Sequence, residues 1–158
     1  MNVERRNQLL SIVLGIIIIV LGYFLYQSIV GPYQDVIERQ QMTERVRHQM
    51  ETIRDVLVRY DRENDNFPPT EGGLDTLVQY LKTDSNMVAL RDSLFVNQAG
   101  QPYNPDSLVY SVRPPHNKFE YTLNDTIRPP IYLLEDPDTE DRIGDLERTT
   151  LLNAASWE

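Results

Sequence analysis

Near the end of the chain, Glu135-Asp136-Pro137-Asp138-Thr139-Glu140-Asp141 packs five carboxylates into seven residues, with Asp145 just beyond. Carboxylates so closely spaced can supply oxygen ligands for calcium, which takes about six to eight. Asp136, Asp138 and Glu140 alternate and Asp141 follows, so a tight loop can converge Asp136, Asp138, Glu140 and Asp141 as a candidate calcium site. The same letters also spell a solvated hairpin turn, since Asp-Pro-Asp-Thr is ordinary turn chemistry and needs no ion. The EF-hand spacing and its glycine are missing.

Other chemistry has little material to work with. There is no cysteine, which removes disulfides and thiolate metal sites. The two histidines, His48 and His116, have no second ligand at metal spacing and read as exposed side chains. No serine stands in a Gly-x-Ser-x-Gly elbow. Gly72-Gly73 runs into Leu74-Asp75 rather than Lys-Ser/Thr, so it is a chain reversal and not a phosphate loop. No catalytic residue and no cofactor is expected.

Those residues must be held by the rest of the chain, and its most informative segment is apolar. Leu9–Val30 reads LLSIVLGIIIIVLGYFLYQSIV, with no charge and with Ser11, Gln27 and Ser28 near its ends. About 20 apolar residues suffice to cross a bilayer as a helix. A cleaved signal peptide competes, but its apolar part is shorter, about 7–15 residues, and ends in a small-residue cleavage site that the flank Gly31-Pro32-Tyr33-Gln34-Asp35 lacks. Arg5 and Arg6 precede the run, while Asp35 and Glu38 follow it before the first basic residue, Arg39. Basic flanks stay cytoplasmic, and Tyr23, Tyr26 and Tyr33 suit the outer headgroup zone. The expectation is a single-span membrane protein with residues 1–8 cytoplasmic, 9–30 transmembrane, 31–63 a helical stalk and domain helix, and 64–158 an external domain. Gly15 and Gly22, seven apart, offer one face where a second helix can approach.

Charge is shared unevenly. Residues 1–63 carry eight acidic and eight basic side chains, whereas residues 64–158 carry sixteen and seven, so the net charge of −9 lies in the distal part. Such a surface disfavours nucleic acid and docking onto anionic lipid. It suits solubility, a cation or a basic protein partner.

The periodicity predicts the elements. Pro32 predicts a kink or restart after the span. Val36, Val46, Met50, Ile53, Leu57 and Tyr60 form one helical stripe, continuous only from Val46, so residues 34–45 read as stalk. Barely two heptads argue against a coiled coil. The helix should end near Glu63, before Asn64-Asp65-Asn66 and the extended Phe67-Pro68-Pro69. A short helix then carries Leu74, Leu77, Val78 and Leu81 on one face. Residues 84–106 are ambiguous around the apolar patch Leu94-Phe95-Val96. Strands are predicted at Ser107–Arg113, Lys118–Leu123 and Ile131–Leu134, with a weaker one at Arg142–Glu147, separated by Pro114-Pro115, Asn124-Asp125 and Pro129-Pro130. Leu151, Leu152 and Trp157 make the last stretch too apolar to be a loose tail, and Trp157 is expected to dock. The fold class is α+β: a transmembrane helix continuing into a long amphipathic helix packed on a small antiparallel sheet.

This order of elements resembles the type II secretion pseudopilins, most closely the major one. Ile53-Arg54-Asp55-Val56-Leu57, Tyr60, Asn64, Phe67-Pro68-Pro69-Thr70-Glu71, Gly73-Leu74 and Leu77 are similar to that family's run, where a helix ending in Tyr leads through Asn-Gly and Tyr-Pro-Thr-Thr-Glu into Gly-Leu-x-x-Leu. Ser156-Trp157 is similar to the family's Ser-Trp ending. The chain departs from type IV pilin-like proteins at the head of the apolar helix. Arg5-Arg6-Asn7-Gln8-Leu9-Leu10 stands where they carry a Gly, then Phe or Met, and Thr-Leu-x-Glu for prepilin processing. Asn153-Ala154-Ala155-Ser156-Trp157-Glu158 also resembles the ending of single-span membrane proteins of the Bacteroidota.

The resemblance implies a bacterial inner-membrane protein whose residues 64–158 form a periplasmic pilin-like domain, calcium in the C-terminal loop region, and partners among the proteins of a secretion or pilus-like assembly, a homo-oligomer included. The departure implies a retained assembly factor rather than a filament subunit. The alternative function is a periplasmic scaffold or a sensory, ligand-binding module unrelated to secretion.

Overall fold

The computed structural model describes residues 3–158, with those at 3, 31–32 and 91–94 described as backbone only. The apolar run and the amphipathic stripe both lie on one helix, α1 (Val3–Asn64, 62 residues). The chain divides into two compact units, one reaching Gln41 and the other starting at Met42.

In the first unit, residues 9–30 are exposed except for partial cover at Gly15 and Val30. Ile12, Ile18, Ile19 and Leu25 are each at least 60% exposed. Residues 9–30 extend about 33 Å at the helical rise, against a hydrocarbon core of about 30 Å. This helix is long and apolar enough to cross a membrane. The predicted restart at Pro32 does not occur, because helical backbone runs through positions 31–32. A proline inside a helix forfeits one amide hydrogen bond, and the turns on either side keep theirs.

The second unit is α+β. Val46, Met50, Ile53 and Leu57 are at most 1% exposed, and Val56 joins them. Val36, in the same predicted stripe, belongs to the first unit and is half exposed. The side-chain amide of Asn64 donates to the Tyr60 carbonyl (2.9 Å) as α1 ends. Phe67 then turns inward, its ring 5.0 Å from that of Tyr132. Helix α2 (Gly73–Thr83) buries the four predicted residues Leu74, Leu77, Val78 and Leu81. A Cβ at position 73 would sit 2.9 Å from Cε1 of Tyr121, so glycine there lets the Tyr121 ring close against the helix start.

The ambiguous stretch resolves as α3 (Ser85–Leu94), capped by Asp84, whose carboxylate accepts from the Asn86 and Met87 amides. Of the apolar patch, Phe95 is buried and Val96 bridges to Pro102, while the Leu94 side chain lies outside those described.

The predicted strand at Ser107–Arg113 is wrong. Its start is helix α4 (Pro105–Leu108), and only an isolated bridge, Tyr110 to Lys118, follows. Asn104 caps α4 by accepting from the Asp106 amide, and Pro105 fits the first helical position. That local start signal outweighs a short alternation of Leu108, Tyr110 and Val112.

The other three predicted strands form. Strands β1 (Glu120–Asn124), β2 (Ile131–Glu135) and β3 (Arg142–Gly144) pair antiparallel in the order β1-β2-β3. Register places Tyr121 beside Leu134 and Leu134 beside Ile143 on the buried face. Side chains alternate across a strand, so Glu120, Glu135 and Arg142 line up on the opposite face. The buried face and residues 46–57 of α1 share one hydrophobic core with α2.

Candidate functional site

The acidic segment joins β2 to β3 as a closed hairpin. The Asp136 amide donates to the Asp141 carbonyl (3.0 Å), and the Thr139 amide to the Asp136 carbonyl (3.2 Å). The Asp136 carboxylate accepts from the Asp138 amide (3.2 Å), the Thr139 hydroxyl (2.8 Å) and Nη1 of Arg113 (3.4 Å). Asp141 accepts a two-pronged bond from Arg47 on α1, Nε at 2.9 Å and Nη2 at 2.8 Å. Asp138 accepts from the Asn117 amide (2.8 Å), and Glu140 is exposed.

Of the four predicted ligands, the two inner ones are therefore neutralised by arginines and the two outer ones face water. Asp136 and Asp141 are buried at 1% and 8% exposure, and buried carboxylates need such partners. The bond to Asp141 raises the affinity of the Arg47 guanidinium for its proton, working against burial. Among the described residues, no group of three or more histidine, aspartate or glutamate side chains is arranged to hold a metal ion. Arg113 also donates from Nη2 to the Thr43 hydroxyl (3.3 Å), so the hairpin is tied to α1 at two places.

Beside the hairpin lies a polar cleft of about 680 Å³, with Glu120, Glu135, Glu140, Asp141, Arg142 and Ser156 in its lining. Glu120 and Glu135 are directly opposite in the register, an unfavourable like-charge pair whose nearest cross-strand neighbour is Arg142. Downstream, Asp145 accepts from the Glu147 and Arg148 amides and from the Arg148 guanidinium. These bonds hold its carboxyl down at about 2, the two amides contributing most.

A second, mostly apolar groove of about 520 Å³ has Gln49, Tyr103, Tyr110, Val112 and His116 in its lining. Gln49 is buried on α1. Its amide donates to the carbonyls of Leu108 (2.7 Å) and Tyr110 (2.8 Å), reaches that of Ser107 (3.3 Å), and accepts from the Val112 amide (3.1 Å). One side chain thus satisfies part of the backbone that a strand ladder was expected to satisfy, while Val109 and Ser111 bond Phe119 and Asn117. His48 is half-buried rather than exposed, with Nδ1 3.3 Å from the Tyr103 hydroxyl. Burial pushes that phenol up to about 12. His116 is exposed, and its Nδ1 lies 2.9 Å from the Ser111 carbonyl. Among the described residues, neither ring contacts a serine or threonine hydroxyl.

Sequence reasoning missed Arg47, Gln49 and Arg113. Gln49 carried a signal, since it lies in phase with Val46 and Ile53 and a polar residue at a core position needs partners. Arg47 and Arg113 carried none, because their partners are distant in sequence.

Compared with family models, curated proteins and solved structures, the chain matches none.

Proposed function

We propose that this chain is a non-enzymatic, single-span membrane protein whose distal unit is a pseudopilin-like domain, acting as a retained component or assembly factor of a type II secretion or type IV pilus-like machine. The observation that carries it is the pairing of a bare apolar helix segment, residues 9–30, with a distal unit in which residues 46–57 of the same helix join a three-stranded antiparallel sheet in one core. The resemblance of the run from Ile53 to Leu77 to the pseudopilins supports the secretion assignment, as does the acidic surface, which suits contact with proteins rather than lipid or nucleic acid. Arg5 and Arg6 support an inner-membrane orientation with the N-terminus in the cytoplasm and residues 31–158 in the periplasm. The inner carboxylates of the acidic hairpin bond arginines, and a role in holding the domain together fits them better than a role in turnover.

Crosslinking mass spectrometry on the protein in native membranes, with its N-terminus read in the same experiment, tests this. Crosslinks to a secretin, an assembly ATPase or a polytopic platform protein, with the start at Met1 or Asn2, are the expected result. A start within residues 6–12 would replace the assembly factor with a processed filament subunit. An intact start with no machine partner would remove the secretion assignment.

A further inference from the structure

Strand β3 has two edges, and only one is paired with β2. The other is covered by the segment Asn153–Trp157. The Gly144 amide donates to the Ala154 carbonyl (3.0 Å), and the Ser156 amide to the Arg142 carbonyl (2.9 Å). The Arg142 amide donates to the Ser156 hydroxyl (3.1 Å), and Ile143 and Ala155 form an antiparallel bridge. Three side chains finish the attachment. Ala155 is buried, the Tyr132 hydroxyl donates to Asn153 Oδ1 (2.8 Å), and the Trp157 ring stacks 5.0 Å from the Arg47 guanidinium carbon. Arg47 is thereby sandwiched between Asp141 and Trp157.

This is a fourth strand one residue pair long. So few bonds open far more readily than the core, since local openings cost much less than global unfolding. The connection Asp145–Leu152 is a turn held by Asp145 followed by a short 3₁₀ segment, Thr149–Leu151, whose side chains are exposed or half-buried. When the strand leaves, the Gly144 amide and both backbone groups of Arg142 lose their partners, and an unpaired sheet edge recruits another strand.

We propose that Asn153–Trp157 is an exchangeable edge strand, and that two copies of this chain join by each laying this segment along β3 of the other. The occupant is a second copy because the edge is cut to this segment: a small side chain at 155 against the core, asparagine at the Tyr132 hydroxyl, and an indole on Arg47. Reciprocal exchange makes a closed two-fold pair. Copies held in one membrane by the 9–30 segment share orientation and a high local concentration, which favours it. The exchange uses the anchored geometry and does not depend on the secretion assignment.

The chain has no cysteine, so introduced ones report cleanly. Arg142 and Ser156 are exposed and adjacent across this edge, so Arg142→Cys and Ser156→Cys leave the core and both amide-to-carbonyl bonds of the edge intact, Ser156→Cys giving up only the hydroxyl acceptor. The two single variants, carrying tags of different mass, are co-expressed as full chains in the membrane and treated with a short bismaleimide. The expected result is a covalent heterodimer, several-fold more abundant than either homodimer. The double variant Arg142→Cys/Ser156→Cys is the companion. Internal crosslinking of the double variant with only monomer from the mixture would overturn exchange. Homodimers as abundant as the heterodimer would reduce it to side-by-side packing and also overturn it. Failure of both samples to crosslink would place the segment elsewhere than along β3, with the same consequence.

Discussion

Gln49→Leu tests whether a single buried amide holds the region between α4 and β1. The substitution keeps most of the volume on α1 and removes every polar atom. It leaves the Leu108 and Tyr110 carbonyls and the Val112 amide without the partners they have at 2.7, 2.8 and 3.1 Å. A lost intramolecular bond costs about 1–1.5 kcal/mol net, and more when the orphaned group stays buried. Three such bonds give about 3–4 kcal/mol, a large share of the roughly 5–15 kcal/mol that holds a domain together. For a domain of this size that lowers the melting temperature by about 10–15 °C. Gln49→Glu should be worse, because it keeps the acceptor for Val112 while turning a carboxylate toward two carbonyls. Gln79→Leu, at an exposed site on α2, should change stability by no more than about 0.5 kcal/mol. The assay is thermal unfolding of the full chain in detergent, followed by fluorescence of Trp157, the only tryptophan, because the apolar helix would mask a far-ultraviolet signal. A loss below about 1 kcal/mol for Gln49→Leu would mean that water replaces the amide and would refute the reasoning.

Gly144→Ala should be at least as damaging. Gly144 ends β3 at φ +91°, and an added Cβ would collide with the Tyr132 carbonyl and lie 3.1 Å from that of Leu152. Slowed or failed refolding in the same assay is the expected readout. Arg47→Met keeps contact with Trp157 but strips Asp141 of its two-pronged partner; because Arg47 is 35% exposed, the loss should be about 1–2 kcal/mol rather than the full buried-pair cost, with a shift in Trp157 emission. At alkaline pH, burial raises the phenols of Tyr80, Tyr103, Tyr121 and Tyr132, that of Tyr103 to about 12, and the bond to Glu63 adds to the rise at Tyr80. The folded state favours their neutral form, so the stability they contribute is complete below about pH 10 and is lost as pH climbs through the folded values. Absorbance at 295 nm should show these four of the nine tyrosines ionising late, together with unfolding. Calcium should leave the melting temperature unchanged, because Asp136 and Asp141 already bond Arg113 and Arg47; a concentration-dependent rise would make the hairpin a cation site.

How much was legible follows from the range of each interaction. The apolar run, the stripe from Val46 to Leu57, the helix through Leu74–Leu81 and strands β1 and β2 were readable because each rests on a local repeat of hydrophobic side chains, and periods of 3.6 and 2 need only neighbouring residues. The end of α1 was readable from Asn64 and the prolines for the same reason. The segment 107–113 misled because its alternation of Leu108, Tyr110 and Val112 has the period of a strand, while Asn104-Pro105 starts a helix and three of the segment's backbone groups bond Gln49, some 60 positions away in sequence. The acidic segment announced a hairpin and a concentration of negative charge. Only the fold decided that Asp141 meets Arg47, 94 positions away, and that Asp136 meets Arg113. A sequence states which groups are charged, whereas pairing and burial depend on what the closed chain brings within about 3 Å. What the sequence alone determined is a helix long and apolar enough to cross a membrane, and the local elements of the unit beyond it. The tertiary structure alone decided that Asp141 and Asp136 bond Arg47 and Arg113, and that the last segment lies along β3 through one residue pair.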